Sequence, residues 1–123
     1  LFTTPDSKIY YSCDRVSGPH FKDIGQLFGA IDIAIMENGQ YDPSWKHIHM
    51  MPEEAAQGAS DLNARAVIPG HAGRFVLANH EWNDPWRRLV AAAAEKTWTL
   101  LTPQMGEVVQ TDHQQPFTAW WQK

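Results

Sequence analysis

Ile31-Asp32-Ile33-Ala34-Ile35-Met36 is an almost unbroken apolar run of strand length, as expected for a strand buried on both faces. The segments around it alternate between two periods. Lys8-Ile9-Tyr10-Tyr11-Ser12 is rich in β-branched and aromatic residues and reads as a strand. His20 to Phe28 carries Phe21, Ile24, Leu27 and Phe28 at helical spacing, and Gly29 stops it. Pro52 to Leu62 reads as a helix, with Pro52 in the first turn and Glu53 and Glu54 at the positive end of the dipole. Its interior Gly58 weakens it slightly. Arg65-Ala66-Val67-Ile68-Pro69 is a short strand that ends at Gly70-His71-Ala72-Gly73. The clearest helix is predicted over 84–96, with Asp84 as N-cap and Pro85 next. Trp86, Leu89, Val90, Ala93 and Ala94 give it one apolar stripe. Thr97 to Leu101 and Glu107 to Thr111 read as two strands of a hairpin turning through Pro103 to Gly106. The resulting β-α-β-α-β-α-β-β pattern predicts an α/β layered domain. In the tail, Phe117, Trp120 and Trp121 are expected to pack on something.

The chain has 123 residues, which suits a single domain over 1–123 that can bury a real core. No apolar run approaches the ~18 residues of a membrane helix, and no signal-peptide pattern is visible. A cytoplasmic protein without a transmembrane segment is the expectation. Ten basic residues against 14 acidic give a formal net charge of -4, and no basic patch stands out. Nucleic acid is therefore not expected as a partner. One cysteine, Cys13, excludes an intrachain disulfide and a multi-cysteine zinc finger. The sequence starts at Leu1 rather than Met, as a processed product or a piece of a longer protein would.

Asp14 and His71 each sit just past a predicted strand. Ligands of α/β sheets gather beyond the carboxyl ends of strands, and a carboxylate with an imidazole suits zinc or iron. The structural alternative has Asp14 capping a turn and His71 as a partly buried, hydrogen-bonded histidine. His47 and His49 form a His-x-His pair. On a strand they would share one face and could chelate; on a loop they read as solvent-exposed histidines. Cys13 neighbours Asp14, but successive strand side chains point to opposite faces, so it reads as a packed thiol rather than a co-ligand. No Ser/His/Asp triad, phosphate loop or dinucleotide fingerprint is present.

The order Ile-Tyr-Tyr-Ser-Cys-Asp (9–14), Gly-Pro-His-Phe-Lys-Asp-Ile-Gly (18–25) and Ile-Asp-Ile-Ala-Ile (31–35) resembles the second half of metallo-β-lactamase-fold hydrolases. The chain is most similar to the group that contains N-acylphosphatidylethanolamine phospholipase D and its bacterial relatives. His49-Met50-Met51-Pro52-Glu53-Glu54-Ala55 matches that group's His-x-x-Pro-Glu-Glu-Ala. Gly70-His71-Ala72-Gly73-Arg74-Phe75 stands where the group has a metal-binding His followed by x-Gly-Thr-Phe. Asn79 to Pro85 resembles the segment after it. The resemblance covers nearly the whole chain and implies one sheet, with its helices, of an αββα sandwich. It implies that Asp14 is the carboxylate bridging two zinc ions, that His71 is the last metal-binding histidine, and that His49 lies in the substrate pocket. Glu37 is not a ligand by this comparison. Two neighbouring zinc ions need an anionic bridge, and together they lower the pKa of a shared water.

The departures bear on function. The family's bridging carboxylate follows Gly and precedes Thr or Ser, whereas Asp14 lies between Cys13 and Arg15. Its His-Trp-Gly-Thr-Phe is here His71-Ala72-Gly73-Arg74-Phe75. Each change puts a guanidinium near a ligand, which is unfavourable beside a dication unless it points away. The principal metal motif, His-x-His-x-Asp-His, belongs to the family's first half and does not occur in this chain. The expectation is the C-terminal half of a metal-dependent hydrolase of phosphodiesters, lactones or other esters and amides. Its substrate would be a small or lipid-like molecule, and its partner the missing N-terminal half. Alone, with two matched ligands where a catalytic zinc usually takes three, it is expected to bind zinc weakly and to be inactive. The alternative is a non-catalytic half-domain for assembly or binding. Ile9, Tyr11, Ile33 and Ile35 face either the first half or the helices, and alternation alone does not decide which. An uncovered apolar face favours a homodimer, unless the tail with Phe117, Trp120 and Trp121 covers it.

Overall fold

The computed structural model describes residues 1–123. Five strands form one sheet in sequence order: β1 (Phe2–Thr3), β2 (Lys8–Tyr11), β3 (Ile31–Glu37), β4 (Ala64–Gly70) and β5 (Thr99–Leu100). β1 pairs antiparallel with β2, and every other pair is parallel. The parallel strands are joined by α1 (His20–Phe28), α2 (Pro52–Asp61) and α3 (Asp84–Ala93). No helix is long and apolar enough to cross a membrane.

The register sorts the strand residues into two faces. Tyr10, Ala34, Val67 and Leu100 lie side by side across β2 to β5. Tyr10, Ala34 and Val67 belong to the core, with Phe21, Met36, Ala55, Ala59, Leu62 and Leu89, and Leu100 packs against it. Alternation turns the rows on either side the other way. Those rows are Ile9–Ile33–Ala66–Thr99 and Tyr11–Ile35–Ile68. Ile9, Tyr11, Ile33 and Ile35 therefore face away from the helices. Ile9, Ile35 and Ile68 are only half-buried there, and Tyr11 is 52% exposed.

Local chemistry explains the helices. Pro52 sits in the first turn of α2, and the Glu54 carboxylate accepts the Met51 N–H at 2.8 Å, which satisfies a donor otherwise orphaned at that end. Gly58, a poor helix former, has a packing reason. A Cβ there would press on the Phe21 ring, so the glycine lets α1 and α2 close on each other. Phe21 is fully buried and meets Tyr10 edge-on, with ring centroids 6.2 Å apart.

Three expectations are corrected: the C-terminal hairpin, the extent of the helix over 84–96 and the burial of Val90. No hairpin forms near the C-terminus. β5 is short and joins β4 in parallel, and Glu107 to Thr111 is not a strand. Pro103, which has no N–H to donate, follows β5 closely, and Val108 is 68% exposed, so that segment has no face to bury. At the other end β1 adds an antiparallel edge strand that periodicity did not reveal. α3 ends at Ala93, and its buried side is Pro85, Trp86 and Leu89, while Val90 is 41% exposed. Val90 is rotated ~100° from Leu89 and falls off the flank that α2 and the sheet cover. The tail divides its work. Trp120 and Trp121 pack on Trp86, with centroids 4.8 and 5.7 Å away. Gln110 to Pro116 instead walls a cavity of about 690 Å³ with Ile33 and Ala66 of the open face.

Leu89→Ala should cost about 2–5 kcal/mol through lost transfer energy plus a cavity. Val90→Ala should stay within about 0.5 kcal/mol, as at surface sites. Urea unfolding of the two variants measures both, and equal losses would show that the helix packs by another face.

Candidate metal centre

β2, β3 and β4 run parallel, so their carboxyl ends open on one side of the sheet. Asp14 lies on the loop after β2, Glu37 is the last residue of β3, and His71 follows β4 directly. His49 enters from the turns beyond the 3-10 segment Pro43–Trp45. One metal-capable atom from each of Asp14, Glu37, His49 and His71 lies within 4.8 Å of the others. His71 Nδ1 is 3.1 Å from Asp14 Oδ1, and the His49 and His71 rings are 5.5 Å apart. The cluster has a closed floor and an open rim. The Glu37 side chain is 1% exposed and that of Asp14 56%.

Glu37 ties the site together. Its Oε1 pairs with His49 Nδ1. Its Oε2 accepts the backbone N–H of Arg15 at 2.7 Å, on the loop that carries Asp14. Its own N–H donates to Ser12 Oγ at 2.8 Å. Burial pushes the Glu37 carboxyl above its ordinary pKa, while the Arg15 N–H and the His49 and His71 rings pull it back.

Two of the loops that meet at the cluster turn through the left-handed region. Cys13 has φ of 56° and His71 57°. Non-glycine residues there cost of order 1–3 kcal/mol each and cluster at functional sites. At position 13 the resembling family carries glycine, the residue such a turn favours. Cys13 is exposed, not packed, and contributes no atom to the cluster. Gly39 has a different reason. A Cβ on it would overlap the His71 carbonyl oxygen and the Ala72 backbone, so only glycine lets the chain after β3 run this close to the His71 loop. Gln40 holds the next part of that loop: its amide donates to Phe75 O at 2.7 Å and accepts Leu77 N–H at 3.0 Å.

The structure thus brings Asp14, His49 and His71 together and adds Glu37, which sequence reading set aside. His47 stays exposed on its turn and outside the cluster. The Arg74 guanidinium lies over the Phe75 ring, 5.2 Å from its centroid, and the charge of Arg15 is felt by Tyr10 and His20. Two carboxylates and two imidazoles are the donor chemistry of zinc and other borderline dications, and the open rim leaves Asp14 and His71 accessible. Beside His71 a hollow of about 260 Å³ is lined by Gln40, Ala72, Arg74, Phe75 and Leu77.

Gly39→Ala should destabilise the chain by about 1–3 kcal/mol, the scale of forced overpacking. Urea unfolding checks this, and a loss near zero would show that the His71 loop yields freely.

Comparisons with known proteins agree with this architecture. The profile of the beta-lactamase superfamily domain matches residues 1–72. The outer membrane protein RomA of Klebsiella pneumoniae is 70% identical over 79 residues, which cover 64% of this chain and 60% of that protein. N-acyl-phosphatidylethanolamine-hydrolyzing phospholipase D 1 of Caenorhabditis elegans is 32% identical over 95 residues, 72% of this chain and 27% of that one. The chain thus spans only part of the length of these relatives. The crystal structure of the metallo-beta-lactamase fold protein YhfI from Bacillus subtilis superposes with a TM-score of 0.60 at 20% identity, over 85% of this chain and 40% of that one. With its first 72 residues matched in sequence and its sheet and helices matched in space, the chain belongs to the beta-lactamase superfamily and has the fold of a metallo-β-lactamase segment.

Proposed function

We propose that the chain is the C-terminal half of a metal-dependent hydrolase, in which Asp14 and His71 hold zinc and His49 serves the substrate pocket. The observation that carries this reading is the convergence of Asp14, Glu37, His49 and His71 at the carboxyl ends of three neighbouring parallel strands. When bound, zinc supplies a Lewis acid and makes water a nucleophile near neutral pH. The chain's own residues do the rest. Asp14 offers two oxygens on an exposed side chain, as a bridge between two ions requires. His49, paired with Glu37, offers its other ring nitrogen to a proton. The hollow beside His71 combines the apolar Phe75 and Leu77 with the cation of Arg74. That lining suits an ester with an apolar arm and an anionic centre, such as a phosphodiester, and a relative named as a phospholipase supports it. A lactone or an amide uses the same chemistry. A cytoplasmic location is part of the proposal.

The open sheet face supports a partner. Ile9, Ile35, Ile68 and Tyr11 present apolar surface there, and hydrophobic burial at ~25 cal/mol/Å² favours covering it. The cover proposed is an N-terminal half, which would bring further ligands; a second copy of the chain is the alternative cover.

Calorimetry on the chain alone should show weak zinc binding, and bis(p-nitrophenyl) phosphate should not be turned over. Supplying the first half in trans should restore hydrolysis, and Asp14→Ala or His71→Ala should each abolish it. Submicromolar zinc binding by the chain alone that is lost in His71→Ala would overturn the two-ligand view. Restored activity indifferent to both substitutions would overturn the assignment of the site. Light scattering at micromolar concentration should show an assembly larger than the 14.0 kDa single chain. A stable monomer would count against an apolar face in need of a cover.

A further inference from the structure

Glu37 is buried at the end of β3, with no lysine or arginine side chain paired to it. A carboxylate withdrawn from water is costly unless its oxygens are satisfied. Each oxygen here has a partner, and the partners come from two different loops: the His49 ring and the Arg15 N–H. For stability alone a well-packed apolar residue at such a place is often as good or better, so the carboxylate is best explained by what it holds. A carboxylate oxygen accepts, so the His49 nitrogen that faces it is the donor, and in the neutral ring Nε2 then keeps the lone pair. The His49 ring then stands 5.5 Å from that of His71 with a defined basic nitrogen.

We propose that Glu37 is a positioning residue for this site: it fixes His49 in the Nδ1–H tautomer and, through its second oxygen, anchors the loop that presents Asp14. Neither function needs Glu37 to touch metal or substrate. Carboxylate partners of this kind set the tautomer and ring orientation of active-site histidines in many metal sites. The role in catalysis rests on the hydrolase reading; the tautomer and the loop anchor do not.

Long-range proton–nitrogen NMR on the metal-free chain 1–123 tests the geometry directly, with His49 assigned by comparison with His49→Gln. In the wild type His49 should be predominantly the Nδ1–H form, and the Arg15 amide proton should lie far downfield. In Glu37→Gln the single tautomer should be lost and the Arg15 amide should move upfield, with core methyl signals unchanged. Glu37→Asp, which keeps the charge on a shorter arm, should restore part of the Nδ1–H population. A wild-type His49 in the Nε2–H form, or a Glu37→Gln spectrum that leaves both signals in place, overturns the proposal. If Glu37→Gln does not fold, the wild-type spectrum and the Glu37→Asp chain decide. In the protein assembled with its first half, Glu37→Gln should lower kcat by about 10–100-fold, the scale of such outer partners, and more than it raises KM. Absence of hydrolysis in any assembly, with the Nδ1–H tautomer present, sinks the hydrolase reading and leaves the structural role of Glu37 standing.

Discussion

Five consecutive residues after the apolar part of β3 hold the site in place: Glu37, Asn38, Gly39, Gln40 and Tyr41. All are buried, and each of the four polar ones reaches a different part of the chain. Glu37 binds His49 and the Asp14 loop. The Asn38 amide donates to Pro85 O at 3.0 Å, in the first turn of α3. Gln40 clamps Phe75 and Leu77. The Tyr41 hydroxyl donates to the Asp84 carboxylate, and its ring stacks on His80 at 4.2 Å. A buried polar group left unpaired costs about 1–3 kcal/mol. Each of these bonds therefore fixes its partner loop as firmly as it fixes the residue that makes it. Gly39 belongs to the set by what it lacks, because any side chain there would push the His71 loop away.

This arrangement needs a parallel sheet. Parallel neighbours place all their carboxyl ends on one side, and that is where ligands gather in α/β folds. β3 is the central strand, flanked by β2 and β4, so polar residues at its end lie between the loops that follow those strands. The cost appears as backbone strain. Cys13 and His71 both sit in the left-handed region, which turns the chain sharply out of β2 and β4 and brings Asp14 and His71 to 3.1 Å of each other. Strain of that kind persists where the surroundings over-determine it. Here the Arg15 N–H bond to Glu37 and the Gly39 approach are the surroundings in question.

The parts of this structure that periodicity governs were legible in the sequence. β2, β3 and β4 and all three helices fall within a few residues of their predicted places, because buried strands and amphipathic helices carry their own period. Edge elements did not carry it: β1 and β5 are two-residue pairings whose existence depends on β2 and β4. The apolar stripe predicted for α3 is two residues too wide, at Val90 and Ala94, since sequence does not say how much of a helix its neighbours cover. In the site, Asp14 and His71 were legible from their place after strands. Glu37 is not legible in that way, because no motif of the resembling family carries it. A physical signal was nonetheless present: Glu-Asn-Gly-Gln follows a strand already judged buried, so polar groups there had to find partners inside the protein.

The open face and the open rim belong to one problem. The row Tyr11–Ile35–Ile68 is the last apolar row of the open face before the site begins. Asp14, Glu37 and His71 follow those three residues along their own strands. A body packed on that row is therefore held next to the cluster, and its nearest loops would meet the exposed side of Asp14 and His71. The aromatic end of the tail does not compete for this position, since Trp120 and Trp121 are spent on Trp86 and Trp82 across α3. Gln110 to Pro116 reaches only the neighbouring row, at Ile33 and Ala66, and leaves a cavity there rather than a packed interface. The half-buried apolar row and the open side of the cluster thus lie next to each other, and one body could meet both. A cover on this face would add to stability and bring new side chains to the metal-capable atoms in a single step.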